Sequence, residues 1–506
     1  QMGSASFADR VATLDPESRA LFERNQGPWC QAAQTENDPF CNALPDFPDR
    51  RWDAYPEGMT HDSALCQSLS ARPDARSLLA PFAVVRKEGD SFKAVPLNVA
   101  YGAEMKAIAT DLRAAASSAR KAKEPTFSKY LEAAAAGFET NEWAAADEAW
   151  SRMDSRNSKW YLRIGPDEVG WDLCQEKAGF HVSFARVDRS SLELQDRLMP
   201  LRQEMETSLA TLIGSAYKAR KVSFHMPDFI EMIINAGDSR HPQGATMGQS
   251  LPNWGKVAEE GRGRTVVMTN LYRDPDSLRL SKVKAGLMLG PETMKVYSDD
   301  QRVSLIDVIL HEATHNLGPC SDFKVDGRSP SEVFGGRVAS VLEELKAQTG
   351  ALYYADLLRR RGIMTQDEVN SMYVGALAWS FGHLSQGLFA ASGAPKPYSQ
   401  LSAVQIGILV EEGALSWETS TDPATGKAMG RFEARFDRFP AAVEKLMARV
   451  GRIKATGDVA AAGALLEPYV TGDRKGLVHV DEIQERLGRF PKATMVYTVR
   501  LARKTP

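Results

Sequence analysis

The sequence predicts an α+β, mainly α protein folded as two lobes with a cleft between them. Three observations predict it. At 506 residues the chain exceeds the size over which a single hydrophobic core keeps growing. A long stretch, about 282–478, carries apolar residues at helical spacing and is interrupted by Gly and Pro turns. Stretches with the alternation of strands lie on both sides of it, so a partly β lobe is built from both ends of the chain and a helical lobe is inserted into it.

Residues 1 to about 100 are rich in Pro and Asp and read as loops and short elements covering one face of something larger. Tyr101 to Lys123 and Lys129 to Met153 are Ala-rich, with apolar residues at helical spacing, and predict a helical array. From Ala178 to Asp188 the period changes: Phe180, Val182 and Phe184 alternate with His181, Ser183 and Ala185, as in a half-buried strand. Strand character returns at Arg264–Thr269 and at Ala493–Leu501. The expected division is a mixed lobe over 1–281, a helical lobe over 282–478 and a return to the mixed lobe over 479–506, with a helix over 189–222 assignable to either lobe. There is no repeat of 20 to 50 residues and no low-complexity tract.

Composition narrows the function. Hydrophobic residues make up 43% and charged residues 25%, as in ordinary globular proteins. The formal net charge is -3 with both signs interspersed, which offers no attraction to a phosphate backbone and sets nucleic acid aside as a partner. No stretch reaches the roughly eighteen apolar residues of a spanning helix, and Gln1–Ser4 reads as a cloning remnant rather than a signal, so a soluble piece is expected. Cys30, Cys41 and Cys66 lie amid Pro, Asp and Trp, where one disulfide implies a periplasmic or otherwise exported bacterial protein. Three reduced, packed thiols would imply a cytoplasmic one. Cys174 and Cys320 have no CxxC partner, which argues against a cysteine-based zinc site.

The segment Gln301 to Leu317 carries the chemistry. Val303, Ile306, Leu310, Ala313 and Leu317 form one apolar stripe, which predicts a helix with a buried face. His311 and His315 stand one turn apart on a neighbouring face, where both can bind one ion. Glu312 points to the side, where a carboxylate can take a proton from water activated by the metal. Gly318 and Pro319 end the helix. Two histidines on an exposed helix face, bonded to solvent or to nearby carbonyls, are the competing reading; an HExxH on an amphipathic helix that stops at once favours the metal.

A third ligand is needed. The pattern that extends HExxH through xxGxxH holds as far as Gly318 but has Ser321 where its last histidine belongs. A later helix, Ser331 to Leu358, supplies Glu343 and Glu344 beside the core-facing Phe334, Val338, Val341 and Leu345. Either carboxylate completes a site of two histidines and one glutamate, with a fourth position open for water.

These residues resemble the dipeptidyl peptidase III family, and especially its relatives fused to Nudix domains in plants. HEATHNLGP matches the first motif, and LEELKAQTGALY resembles the second, in which two glutamates are followed by a basic residue, an alanine and an acid. The likeness continues upstream in DEAWSRMDS, IGPDEVGWD, INAGD and LPNW, and downstream in GILVEEGAL and Phe436–Pro440, covering roughly 130–470 in matching order. The resemblance implies a β-barrel-like sheet in the mixed lobe and one zinc ion per chain in the helical lobe. It makes Glu344 the third ligand and Glu343 a supporting residue. It assigns Glu168 and Asn253 to the free amino terminus of a peptide, a carboxylate for the ammonium and an amide to orient it.

Three positions depart from the family pattern. Gln348 replaces the acid of the second motif, so the partner that orients a zinc-bound histidine is either missing or supplied from elsewhere, for which Asp307 is the candidate, and Glu343, Asp307 and Gln348 are the residues expected behind the ligands. Gly170 replaces a tyrosine expected to contact the reacting carbonyl. Tyr398 replaces a histidine expected to aid the transition state and can still donate to an oxyanion; His383 is a second candidate for that task.

The expected activity is zinc-dependent release of dipeptides from the amino terminus of short peptides, with Glu312 as general base. Two rivals accompany it. One is a zinc hydrolase of the same fold acting on a non-peptide amide or modified amino acid. The other is a non-catalytic zinc and peptide binder, against which the retention of Glu312 argues. Oligomeric state is not legible.

Overall fold

The structure, a computed structural model, describes residues 7–25, 43–44, 46, 52–169, 172–224, 226–237, 248–260, 262–389, 393–421, 426 and 428–490. Nine strands are present among them: β1 (Ala83–Glu88), β2 (Ser91–Pro96), β3 (Trp160–Glu168), β4 (Gly179–Val187), β5 (Asp228–Gly237), β6 (Gly248–Leu251), β7 (Arg264–Met268), β8 (Leu415–Thr421) and β9 (Ala428–Ala434). Five of them form one sheet in the order β3-β4-β5-β7-β6, in which only the β5–β7 pair is parallel. The sheet curls into a half-barrel, as the resemblance implied. β1–β2 and β8–β9 are separate antiparallel hairpins.

The two-lobe layout is visible as two large cores. The smaller gathers the helices Gly102–Lys121, Pro125–Thr140 and Ala144–Ser151 around Trp150, Tyr130 and Phe138. The larger is helical and contains Leu310, Leu345, Leu401 and Met447. The sheet packs mainly on the smaller core, and two of its strands, β5 and β7, serve both. On β5, Phe229 belongs to the larger core and Ile230 to the smaller; on β7, Val267 belongs to the larger while Val266 and Met268 belong to the smaller. This is the period of two of a strand buried on both faces.

Several sequence expectations shift for local reasons. The helix expected over Lys129–Met153 is two helices, Pro125–Thr140 and Ala144–Ser151, because Asn141 caps the first in the left-handed region at φ 63. The helix expected from Ser331 begins instead as a short piece, Pro330–Phe334, opened by a Ser329–Glu332 capping box, and restarts as Gly336–Arg360. On β4 the polar side chains His181 and Ser183 are the buried ones, while Phe180, Val182 and Phe184 are only partly covered. The hairpin β1–β2 falls in a region read as irregular.

Helices Arg189–Leu198 and Arg202–Ile213 place Leu194, Leu198, Met205 and Leu209 in the larger core. So does the helix Val480–Leu487 through Val480, Ile483 and Leu487, which corrects the boundary expected at 479: an apolar face at helical spacing keeps the chain on the helical core through Leu487. The strand expected at Ala493–Leu501 lies outside the described residues.

Cys66 pairs with Cys174, not with a cysteine of the first seventy residues; Cys30 and Cys41 lie outside the described residues. The bond ties the helix Ser63–Ser70 to the loop after β3, beside a small core of Tyr55, Leu65, Leu69, Leu78 and Val85. Proximity in space, with a sequence separation of 108, is what spacing could not reveal. Among the described residues no helix is long and apolar enough to cross a membrane.

Candidate metal centre

The helix Gln301–His315 starts at Asp300, whose side chain accepts from the Arg302 amide at 2.8 Å. The predicted stripe of Val303, Ile306, Leu310, Ala313 and Leu317 is buried, which fixes the rotation of the helix and turns His311 and His315 to one side. The chain then leaves through Gly318 at φ +64, where a Cβ would stand 2.5 Å from Leu209 Cδ2. The Gly318 amide donates to Glu206 Oε2 at 2.7 Å, and Glu206 itself is fully buried.

Gly336–Arg360 packs directly on this helix. At the crossing Gly350 faces Thr314, and a Cβ on Gly350 would stand 2.4 Å from Thr314 Cγ2. That close approach brings the carboxylates to the imidazoles.

Each histidine has its Nδ1 engaged. His311 Nδ1 lies 2.9 Å from Gln348 Oε1, and His315 Nδ1 lies 2.9 Å from Glu343 Oε1. Both partners are acceptors there, since a carboxylate cannot donate and the Gln348 amide nitrogen is turned to Asp307 Oδ1 at 3.4 Å. The tautomers inferred from this network carry the proton on Nδ1 and a lone pair on Nε2. The two Nε2 atoms are 3.2 Å apart, and Glu344 Oε2 is 3.4 Å from that of His311 and 3.6 Å from that of His315. Three electron pairs therefore face one point. Ligands bound at about 2.0 to 2.1 Å with tetrahedral angles stand about 3.3 Å apart, so the spacing fits one zinc ion. Among the described residues this is the group of His, Cys, Asp and Glu side chains close enough to hold a metal.

The electrostatics suit a cation. Burial opposes ionisation of Glu343 and Glu344, yet both carboxyls are held below their ordinary range, Glu343 by Lys346, His315 and Lys454, and Glu344 by the two histidines. Burial disfavours a charged His311, but Glu344, Glu312 and Gln348 outweigh it and raise the imidazole. Asp307, behind Gln348, is pushed up to about 6 by burial, against the pull of His311 and the Gln348 amide.

Of the other residues singled out from sequence, Tyr398 reaches this centre. Burial, followed by the charges of Glu344 and Glu312, pushes its phenol up, while the residue remains 40% exposed. His383 is beside it, ring centroids 5.2 Å apart, and both touch Trp379 at 4.3 and 5.8 Å. Asn253 belongs to a second group on the sheet: it follows the cis Leu251–Pro252 bond and donates from Nδ2 to the Asp167 carbonyl at 3.1 Å, next to Glu168 on the bulged end of β3. Gly170 lies outside the described residues.

Sequence reading missed Lys454, Trp379 and Glu206. Lys454 had a signal, because it continues the apolar stripe of Val443, Met447 and Val450 on the helix Phe439–Thr456, where a charge needs a buried partner. Trp379 and Glu206 had none, since their partners come from other elements.

No protein-family model matches the chain. Over 355 residues, 69% of its length, it is 30% identical to a protein of Arabidopsis thaliana described as Nudix hydrolase 3, and it spans 42% of that protein. Among solved structures it is similar to dipeptidyl peptidase III from Caldithrix abyssi, with a TM-score of 0.72 and 24% identity over 96% of this chain and 88% of that one. It is also similar to dipeptidyl-peptidase III from Corallococcus sp. strain EGB, with a TM-score of 0.58 and 24% identity over 96% of this chain and 86% of that one. The motifs and the architecture agree, and this chain has the dipeptidyl peptidase III fold.

Proposed function

We propose that this protein is a zinc-dependent peptidase that removes dipeptides from the free amino terminus of short peptides. The observation that carries the reading is the convergence of His311 Nε2, His315 Nε2 and Glu344 Oε2 on one point, with every mutual distance between 3.2 and 3.6 Å. These three residues would hold the zinc ion, which would supply Lewis acidity for activating water and polarising a carbonyl. Glu312, next in the chain to a ligand, takes the proton from the attacking water and passes it to the leaving amine. The Tyr398 hydroxyl, close enough to Glu312 and Glu344 to feel both charges, donates to the oxyanion as it forms. Glu168 and Asn253 bind the substrate ammonium and so set the distance from the amino terminus to the bond that is cut.

The presence of Tyr398 rather than a histidine supports a second reading, a hydrolase of the same fold acting on a non-peptide amide or modified amino acid. The Cys66–Cys174 bond supports export to an oxidising compartment.

The test is a mixed peptide library offered to zinc-loaded protein with free and acetylated amino termini. Free peptides lose two residues, and acetylated ones, which lack the charge that Glu168 binds, are cut at least about 30-fold more slowly, from the roughly 2 to 5 kcal/mol that a desolvated charge pair loses with its partner. Glu312→Gln keeps its zinc and loses about 100-fold or more in rate. Equal cleavage of both peptide sets ends the dipeptidyl reading, and cleavage of neither moves the assignment to the non-peptide substrate.

A further inference from the structure

Glu343 sits where three elements meet. Its Oε1 is 2.9 Å from His315 Nδ1 and 3.1 Å from Lys346 Nζ, and its Oε2 is 2.8 Å from Lys454 Nζ. Lys346 is fully buried on the same helix and also donates to the Leu317 carbonyl at 3.0 Å, closing off the end of the HEATH helix. Lys454 arrives from Phe439–Thr456, with its side chain only 2% exposed.

A buried ammonium is costly unless it is paired, so each lysine needs an anion. Glu343 is the carboxylate that pairs with both. One lysine is enough to neutralise it. The second has a geometrical effect that the first lacks. Lys346 and His315 share Oε1, and with only these two partners the carboxylate is free to turn about its last side-chain bond and present either oxygen. The Lys454 ammonium stands 2.8 Å from Oε2, a charge contact rather than an aligned hydrogen bond, and by attracting that oxygen from the opposite helix it opposes the turn. Oε1 is then fixed on the His315 Nδ1 proton, and His315 Nε2 is fixed toward Glu344 and His311.

We propose that Lys454 is a positioning residue for the metal centre, acting through Glu343 to hold His315 in its ligating orientation. The inference rests on the zinc reading above and adds to it a residue from a third helix, which neither touches the metal point nor belongs to either motif. It makes the packing of Phe439–Thr456 part of the affinity for the ion.

Zinc affinity, measured by competition with a chromophoric chelator, tests this in the full chain for the unaltered protein, Lys454→Met, Glu343→Gln and the double variant, with circular dichroism as the check on folding. Loss of an outer partner of a metal ligand weakens binding by about 10- to 100-fold, and that loss is expected for each single variant. Because Lys454 acts through Glu343, the double variant binds within about twofold of Glu343→Gln alone. Lys454→Met leaves Glu343 paired with Lys346 and is the variant expected to fold; where Glu343→Gln, which leaves two buried ammonium groups without an anion, does not fold, Lys454→Arg decides instead, with affinity expected within about twofold of the parent, and a loss as large as that of Lys454→Met overturns the inference. Unchanged affinity in a folded Lys454→Met overturns the inference, and so do losses that multiply in the double variant. An unaltered protein that takes up no zinc overturns the metal-centre reading and this inference together, which is a different result from normal uptake insensitive to Lys454.

Discussion

Gln348 Oε1 lies 2.9 Å from His311 Nδ1, so a neutral amide orients this histidine where a carboxylate, Glu343, orients His315. The amide is itself held from behind by Asp307 at 3.4 Å. Replacing Gln348 by Met keeps the volume and removes the acceptor. Zinc affinity is expected to fall by about 10- to 100-fold with little change in stability, as measured by chelator competition and urea unfolding. Undiminished affinity means that the His311 ring is held by packing alone.

Gly350 sets how closely the helices carrying His311, His315 and Glu344 approach. With a Cβ placed 2.4 Å from Thr314 Cγ2, Gly350→Val has to push the helices apart or displace Thr314. Overpacking of this kind costs about 1 to 3 kcal/mol. The spacing between the histidines and Glu344 should widen with it, weakening zinc by about tenfold or more. A variant as stable as the parent, with the same zinc affinity, removes Gly350 from the construction of the site.

Asp307 is pushed up from 3.8 to about 6, and the sign of the effect follows from that direction. The folded state binds this proton more tightly than the unfolded chain, so its contribution to stability is present below about pH 4 and is lost as the pH rises to about 6. Asp307→Asn has no proton to lose. In metal-free protein its stability relative to the parent should climb between about pH 4 and pH 6 and level off above, by no more than about 3 kcal/mol. Urea unfolding across that range checks it, and a difference independent of pH places the Asp307 ionisation elsewhere.

The Cys66–Cys174 bond closes a loop across a sequence separation of 108 around a small core. Cys66→Ser together with Cys174→Ser is expected to lower stability by about 2 to 4 kcal/mol, with zinc binding retained because the bond lies in the mixed lobe. Titration of the denatured, unreduced parent should find no more than three thiols among its five cysteines. Five reactive thiols would mean that the pair is not formed in the isolated protein.

The metal point was legible because its signals are local. HEATH places two histidines one above the other by the helical period alone, and the apolar stripe of Val303, Ile306 and Leu310 says which way they face. The choice between Glu343 and Glu344 was not local, since both lie on one turn and only the approach at Gly350 and the lysines around Glu343 separate a carboxylate aimed at Nε2 from one aimed at Nδ1. Gln348 stood out as a departure because its residue type lacks charge, yet an amide oxygen accepts a hydrogen bond as well as a carboxylate oxygen does. The partner of Cys66 and the place of the helix Val480–Leu487 were hidden for the same reason: both depend on what the rest of the chain brings alongside.

The strands β5 and β7 give alternate side chains to different cores, Phe229 and Val267 to one, Ile230 and Val266 to the other. A sheet shared in this way is a party wall. β5 and β7 are the part of the sheet that both cores share, so loss of either core uncovers one side of these two strands, and loosening of one lobe is felt in the other although each has its own interior. Cutting the chain between them would leave Phe229 and Val267 bare on a fragment that kept the sheet with the smaller core, an apolar spot that favours association over a free domain.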